Sequence, residues 1–409
     1  MAELFEELRG GAFTARNRMV RSATAESLCT TDGTPSKRML SLYRELSQGG
    51  VGTIITGYAY VCPDGKPSER SLNFGADAQE IQLKALAEAV HTANDEDVPE
   101  IEKLPSLQQL RDGAKAVRTA APERGADAAR IVAQLVYGGS KSKLAPADSR
   151  RLPAQGEGEP NVDIVGPSPV ANPATGLVPR PASASDLNRI AQAFGSAAAR
   201  AKRCGFDGVE VHAAHGYLLS QFLDGRFNQR SDEYGGSLQN RARFVLDCVR
   251  AVRAQVGPDF PVFVKLNSSD SLKDKRGEAG GMSEEESLLV AEWLVEAGAT
   301  FIDVSGDWHS VDADDVSGEP FFGDYGARLA QRLGERAAVV VTGGSRDYDT
   351  VQRYFANTGI AAVALSRPLI CQSNLPLLWK FSEHRTAQCT SCNWCVTKPG
   401  IPCILRRGR

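Results

Sequence analysis

Eight short apolar runs recur along the chain, and most of them precede a segment whose apolar residues repeat with helical spacing. The runs lack the polar–apolar alternation of a half-exposed strand, so they predict parallel strands that are covered on both faces. Eight strands alternating with helices favour a single (β/α)8 TIM barrel over a doubly wound open sheet. The predicted strands are Met19–Ser22, Gly52–Gly57, Ile131–Val136, Gly208–His212, Val262–Asn267, Phe301–Ser305, Ala338–Thr342 and Ile360–Leu365.

The intervening segments carry signals for where helices begin. Ser237 is a good N-cap for a helix that ends near Val252. Ser283 followed by Glu286 fits a capping box, in which side chain and backbone satisfy each other's hydrogen bonds. The predicted helices include Gln79–His91, Ala184–Lys202, Leu238–Val252, Ser283–Ala297 and Asp347–Asn357.

Residues 1–385 are predicted to form one barrel domain, followed by a short cysteine-rich C-terminal tail at residues 386–409. About residues 94–127 separate the second predicted helix from the third strand, and we interpret them as a solvated surface insertion, because loops tolerate added length. The segment Gly138–Pro181 is rich in Pro, Ala, Gly and Ser. It leaves the third strand at the rim where substrate-covering loops of such barrels lie.

Composition limits the partners that the protein can have. Of the 409 residues, 42% are hydrophobic and 24% charged, and the net charge is −3, so no nucleic-acid or membrane partner is expected. The acidic start has no signal-peptide pattern, and no apolar run reaches the ~18 residues that suggest a transmembrane helix. Nine cysteines, an odd number, suit a reducing compartment. We therefore expect a cytoplasmic protein.

The most informative stretch is Gly208–Ser237, with the sequence GVEVHAAHGYLLSQFLDGRFNQRSDEYGGS. His212, His215 and Tyr217 follow a predicted strand directly, so they can converge on one small polar atom. A lone pair of histidines at this spacing is more often a structural pair with satisfied hydrogen bonds. The whole stretch resembles the signature of the Old Yellow Enzyme family of FMN-dependent ene-reductases.

This resemblance implies a reaction. A hydride would pass from NADH or NADPH to FMN and then to the activated C=C bond of a small enone-type substrate. His212 and His215 would hydrogen-bond the substrate carbonyl oxygen, as an oxyanion hole does, and Tyr217 would donate the proton. The family also often forms homo-oligomers. Neither the choice of nicotinamide nor the alkene can be read from the sequence.

The resemblance also implies a set of FMN-binding residues after successive strands. The Thr24 hydroxyl would reach the flavin C4 oxygen, Gln134 the pyrimidine edge, and Lys265 the N1 and O2 positions. Tyr137 and Ser140 replace the His and Arg that the family typically has after Gln134. The full set is Ser22, Ala23, Thr24, Gly57, Gln134, Lys265, Gly343, Gly344, Ser366 and Arg367, with the last four expected around the phosphate.

Three alternatives remain open. Lys265 could be the Schiff-base nucleophile of a flavin-free lyase. Four tail cysteines, Cys389, Cys392, Cys395 and Cys403, could instead hold a [4Fe–4S] cluster, as in an iron–sulfur flavoprotein reductase resembling the barrel part of 2,4-dienoyl-CoA reductase. The barrel could also be only a scaffold for a metal-clustered interaction protein. We favour a flavin enzyme without bound metal, whose tail thiols are reduced or bind metal weakly.

Overall fold

The computed structural model describes residues 3–93, 128–143, 161–173, 176–270, 281–306, 320–382, 385–397 and 399–406. The predicted insertion at residues 94–127 lies outside these ranges. Eight parallel strands form the core of the fold: β1 (Met19–Arg21), β2 (Thr53–Ile55), β3 (Arg130–Val136), β4 (Gly208–Ala213), β5 (Val262–Asn267), β6 (Phe301–Ser305), β7 (Ala338–Thr342) and β8 (Ala362–Leu365). They form a closed barrel, because β1 pairs with β2 and β8, and β3 pairs with both β2 and β4. The predicted TIM barrel is confirmed.

Helices surround the barrel, and short strands and 3-10 turns lie in the loops between its main elements. The main helices are α1 (Lys37–Gln48), α2 (Glu80–His91), α3 (Ala184–Arg203), α4 (Leu238–Val256), α5 (Glu284–Glu296), α6 (Gly323–Leu333), α7 (Tyr348–Thr358) and α8 (Leu375–Phe381), with shorter helices at Leu218–Leu223 and Arg367–Cys371. Accessory strands are Leu8–Gly10, Phe13–Ala15, Ala59–Tyr60, Leu72–Asn73, Asn161–Gly166 and Pro179–Pro181. Single 3-10 turns occur at Pro63–Gly65, Asp77–Gln79, Gly139–Lys141, Gly334–Arg336, Trp394–Val396 and Ile404–Arg406. In the described ranges, no helix is both long and apolar enough to cross a membrane.

Local hydrogen bonds fix the helix starts that the sequence predicts. Ser283 and Glu286 form the expected capping box at α5, and the Ser237 hydroxyl accepts from the backbone N–H of Asn240 at 3.3 Å at the start of α4. Each cap satisfies backbone donors that have no partner inside the helix. Both predicted caps are confirmed.

A small aromatic core closes the N-terminal end of the barrel. The antiparallel pair Leu8–Gly10 and Phe13–Ala15 carries the Phe13 ring edge-on against Phe263 and Phe301 at centroid distances of 5.4 and 5.3 Å. The rings of Phe263 and Phe301 stack at 4.0 Å. A Cβ on Gly10 would lie 2.3 Å from the Phe301 ring, so no larger residue fits there without a shift. The opposite, C-terminal end of the barrel is therefore where a functional site is expected.

Candidate active site

A cavity of about 380 Å³ opens at the C-terminal ends of the barrel strands, and we call it the active-site cavity. Its lining includes every sequence-predicted catalytic and cofactor residue except Gly57, and it also includes residues that the sequence did not single out. Those predicted and placed together are Ser22, Ala23, Thr24, Gln134, His212, His215, Tyr217, Lys265, Gly343, Gly344, Ser366 and Arg367. Gly57 lies behind Thr24, where a Cβ would come within 2.6 Å of the Thr24 carbonyl oxygen. Close packing against Thr24 therefore explains the glycine at position 57, and Gly57 does not line the cavity.

Two imidazoles form one side of the cavity, that of His212 buried and that of His215 half-buried, with their ring centroids 5.1 Å apart. His212 Nδ1 accepts a hydrogen bond from the Ala214 backbone N–H at 3.3 Å, so the ring proton resides on Nε2. His215 Nε2 lies 2.9 Å from Ser305 Oγ. Burial lowers the pKa of His212 well below its usual value and that of His215 to about 3, and Lys265 and Lys141 contribute to both shifts. Both rings are therefore neutral near pH 7.

His215 has a left-handed backbone conformation with φ of 59°. A left-handed conformation raises the free energy of a residue other than glycine, so it occurs mostly where contacts with neighbouring residues hold the backbone in it. Its backbone N–H donates to Asn267 Oδ1 at 3.2 Å, and its carbonyl accepts from Lys141 Nζ at 2.6 Å. These bonds help to hold the turn that brings the two imidazoles and Tyr217 together.

Tyr217 packs edge-on against His212 with a centroid distance of 4.8 Å. Its hydroxyl shares a hydrogen bond with that of Tyr58, a residue that the sequence gave no reason to select. Burial, followed by the contact with Tyr58, raises the pKa of Tyr217 well above its usual value. Tyr217 therefore carries its proton at any ordinary pH, as a general acid requires.

Buried polar side chains form the floor of the cavity. Lys265 pairs with Asp303, which also accepts from Thr342 Oγ1 at 2.7 Å. Gln134 Nε2 donates to Glu210 Oε1 at 2.6 Å. Burial opposes the charge on Lys265, but Asp303 and Glu210 outweigh it and raise its pKa above the usual value.

Glu210, in β4, was missed by the sequence reading, although a carboxyl inside an apolar parallel strand was a usable signal. It is fully buried, and its Oε2 atom accepts no hydrogen bond from the described residues. Burial raises its pKa to about 8, with the Asp303 carboxylate adding to the shift and Lys265 opposing it. Burial therefore favours the protonated, neutral form of the Glu210 side chain.

The loops after β7 and β8 form the other end of the cavity. Gly343 and Gly344 have φ of 108° and 78°, a region open to glycine, which lets the backbone face the cavity. Among the described residues, Ser345 Oγ and Arg346 Nε are buried without a hydrogen-bond partner. Arg367 adds a second guanidinium and donates to Asn393 at 2.7 Å. Hydrogen-bond donors without a partner among the described residues, together with two guanidinium groups, in the loops after β7 and β8 are suited to binding a phosphate group.

The C-terminal tail completes the wall of this cavity. Ser391, Asn393 and Cys395 line it, and the Gly400 backbone N–H donates to the Glu26 carbonyl at 2.9 Å behind Thr24. Cys389, Cys392, Cys395 and Cys403 line a second, smaller and apolar cavity, which we call the thiol cavity. Within the described ranges, no three His, Cys, Asp or Glu side chains are arranged to hold a metal ion.

Comparison with known proteins identifies the family. A model described as the NADH:flavin oxidoreductase / NADH oxidase family matches residues 3–129 and 123–388. The chain belongs to this family. A solved Old Yellow Enzyme homologue from Zymomonas mobilis shares the fold, with a TM-score of 0.71, 22% identity and coverage of 94% of each chain. The predicted resemblance is thus confirmed.

Two curated proteins are similar to most of this chain. An NADH oxidase from Thermoanaerobacter brockii is 29% identical over 394 residues, which cover 95% of this chain and 52% of the relative. A cinnamate reductase from Clostridium sporogenes is 27% identical over 418 residues, which cover 95% of this chain and 54% of the relative. The chain therefore spans about half the length of both relatives.

Proposed function

We propose that this protein is an FMN-dependent oxidoreductase that transfers a hydride from NADH or NADPH to the activated C=C bond of an enone-type substrate. The observation that carries the proposal is the layout of the active-site cavity. One end presents two neutral imidazoles and a protonated phenol, His212, His215 and Tyr217. The other end presents Ser345 Oγ and Arg346 Nε, which are buried and have no hydrogen-bond partner in the part of the chain that the structure describes.

The residues present fit FMN. Ser345, Arg346 and Arg367 would hold the phosphate, and Lys265 with Gln134 would face the polar edge of the ring. The Thr24 hydroxyl accepts a hydrogen bond from Arg21, which is itself paired with buried Glu26 at 3.3 Å. Bound FMN would supply the hydride acceptor and donor between a nicotinamide and an alkene.

The side chains of the cavity then have distinct tasks. The Nε2–H of His212 and the ring of His215 would hydrogen-bond the substrate carbonyl oxygen and stabilise the negative charge that develops there. Because both rings are neutral, they polarise the carbonyl without protonating it. Tyr217 would deliver a proton to the α carbon of the alkene, and its raised pKa keeps that proton available.

An FMN titration tests this function. The purified protein, stripped of any flavin, should bind FMN, and NADH or NADPH should bleach the bound flavin without oxygen. Arg346→Met should weaken FMN binding by about tenfold or more, because a charge-assisted bond to phosphate is lost. Arg353→Met, which removes an exposed arginine from α7, serves as the matched control. Absence of FMN binding, or equal effects of the two variants, contradicts the proposal.

The structure argues against the Schiff-base lyase that the sequence left open. A lysine nucleophile must lose its proton, and this usually requires a lowered pKa. Lys265 is instead ion-paired with Asp303, and its pKa is raised. The amine therefore stays protonated near neutral pH.

A second candidate, an iron–sulfur flavoprotein, is favoured by one observation. The thiol cavity and the active-site cavity share Cys395, Arg367 and Ile370 in their linings. A cluster bound by the four tail thiols would therefore lie beside the proposed flavin site and would supply electrons there. Iron and acid-labile sulfide analysis of protein purified without oxygen tests this candidate. About four irons per chain, lost in Cys392→Ser but kept in Cys248→Ser, would support a [4Fe–4S] cluster, and iron-free protein would exclude it.

A further inference from the structure

A buried ion pair lies directly behind the wall of the active-site cavity. Arg21, in β1, and Glu26 expose 1% and 4% of their side chains, and Arg21 Nη2 lies 3.3 Å from Glu26 Oε1. The other carboxylate oxygen of Glu26 accepts a hydrogen bond from the Tyr43 hydroxyl at 3.0 Å. Neither member of the pair lines the cavity itself. A buried ion pair is seldom the most stable way to fill a core, because both charges lose their hydration, so stability alone does not explain this one.

Arg21 contacts the cavity wall through one nitrogen and Glu26 through the other. Its Nη1 donates to the Thr24 hydroxyl and also to the carbonyl oxygens of Ser22 and Ser366, at 3.2 and 3.4 Å. All three of these acceptor residues line the cavity. The positive group, rather than the carboxylate, therefore contacts the wall at the place where the sequence predicts that Thr24 meets the flavin.

These contacts determine what the Thr24 hydroxyl can do. A hydroxyl has one proton to donate and two lone pairs with which to accept. Because the guanidinium N–H occupies one lone pair, the oxygen must use its own proton elsewhere. Its neighbours are the Ser22 carbonyl at 3.1 Å and the Ser366 hydroxyl at 2.9 Å. Since Arg21 also donates to the Ser22 carbonyl, that oxygen keeps a donor when the Thr24 proton turns towards the cavity.

We propose that Arg21 is a positioning residue that acts through Thr24: it holds the threonine hydroxyl as a hydrogen-bond donor to the flavin and thereby favours the reduced form of bound FMN. The inference rests on the proposed function. A hydroxyl that accepts a charge-assisted bond becomes a stronger donor, because hydrogen bonds in a chain polarise one another. A stronger donor at the C4 oxygen stabilises the reduced ring more than the oxidised ring, because reduction adds electron density there.

A redox titration of the FMN-loaded protein against a reference dye, without oxygen, tests the inference. At a fixed ambient potential, Arg21→Met should lower the ratio of reduced to oxidised flavin about tenfold, a shift of about 30 mV to more negative values for a two-electron couple. Arg21→Lys, which keeps a charged donor, should restore part of the ratio. Arg18→Met is the matched control, because it removes a half-buried arginine at the opposite end of β1, and it should leave the ratio unchanged.

A second variant removes the whole ion pair. Loss of Arg21 alone leaves the Glu26 carboxyl buried without its cation, which is strongly destabilising. Arg21→Met combined with Glu26→Gln removes both charges and keeps a hydrogen-bond partner for Tyr43, so the titration does not depend on the fold of the single variant. The combined variant should show the same fall in the ratio relative to Glu26→Gln alone.

Thr24→Val separates an effect through Thr24 from a direct effect of the buried charge, because valine removes the hydroxyl and keeps the shape of the side chain. In the Thr24→Val protein, we expect Arg21→Met to change the ratio by less than about twofold, since the two residues act as a unit. Equal effects of Arg21→Met with and without the threonine hydroxyl would overturn the inference, and so would an unchanged ratio in Arg21→Met. Failure of the wild type to bind FMN would instead refute the proposed function itself.

Discussion

At the scale of single residues, the active-site cavity is built from side chains whose protonation is set by burial. The imidazoles of His212 and His215 stay neutral, Tyr217 keeps its proton, and the pKa of Glu210 is raised to about 8. Each shift has burial as its largest cause, because a dry environment disfavours the charged form. Under the proposed function, the two neutral imidazoles would polarise a carbonyl and the phenol would deliver a proton, and these three groups keep their charge state near pH 7.

Tyr58→Phe tests whether the hydroxyl pair with Tyr217 matters. The change removes one hydroxyl but keeps the ring, whose centroid lies 5.8 Å from that of Tyr217. We expect flavin reoxidation by an enone to slow by about three- to tenfold, because Tyr217 loses a hydrogen-bond partner. Reduction by NADH, measured in the same stopped-flow series, should be unchanged. Unaltered reoxidation would show that Tyr58 only packs.

Glu210 should make the stability of the fold depend on pH. Its pKa is raised from 4.5 to about 8 in the folded protein, so the folded state binds the proton more tightly than the unfolded chain does. The free energy of unfolding should therefore fall as pH rises from about 4.5 to 8. Glu26 and Asp270, whose burial raises each pKa to about 7, act in the same direction.

Glu210→Gln checks this expectation, because the amide mimics the protonated acid at every pH. Urea unfolding of wild type and variant should show a flatter pH profile for the variant, with a relative gain of roughly 1–3 kcal/mol at pH 9 over pH 5. The same pH slope in both proteins would mean that Glu210 does not hold the proton.

At the scale of elements, the two ends of the barrel have separate tasks. The N-terminal end is closed by the strand pair that carries Phe13 onto the stacked rings of Phe263 and Phe301. The C-terminal end carries the loops that form the active-site cavity. Such a division lets loops at one end vary while the other end maintains stability.

Phe13→Ala tests this division. Removal of a buried aromatic ring should lower the free energy of unfolding by about 3–5 kcal/mol, as measured by urea denaturation. The Kd for FMN should stay within about twofold of the wild type, because the ring lies at the opposite end of the barrel. Ile81→Ala, at a position with 77% of its surface exposed, is a control expected to change stability by less than about 0.5 kcal/mol. A large loss of FMN affinity in Phe13→Ala would contradict the separation.

At the scale of the whole molecule, sequence reasoning located the barrel strands well because each is a continuous apolar run between polar segments. The observed β5, β6 and β7 coincide with the predicted runs, and β8 begins two residues later than predicted, at Ala362. Helix ends were less predictable. Helix α4 continues past the predicted end at Val252 to Val256, because no glycine or proline comes between Val252 and Gly257, whose φ of 80° ends the helix.

The candidate site was predictable only where residues lie in a barrel strand or soon after one. His212, His215 and Lys265 are marked by their place in or after an apolar run. Tyr58 also follows a predicted strand, but its contact with Tyr217 on another loop is tertiary, and Arg346 likewise reaches the cavity only through folding of the loop after β7. The C-terminal tail was also not predicted to line the site. It lines both the active-site cavity and the thiol cavity because of how the chain folds after β8.

The central claim is that one cavity passes a hydride through flavin and a proton through Tyr217. Anaerobic stopped-flow on the FMN-loaded wild type and Tyr217→Phe tests it most directly, with reduction by NADH followed by reoxidation with an enone. The account predicts equal rates of reduction and a reoxidation slowed by about 10²–10⁴-fold in the variant, the usual contribution of a general acid. Equal reoxidation rates in the two proteins would contradict it.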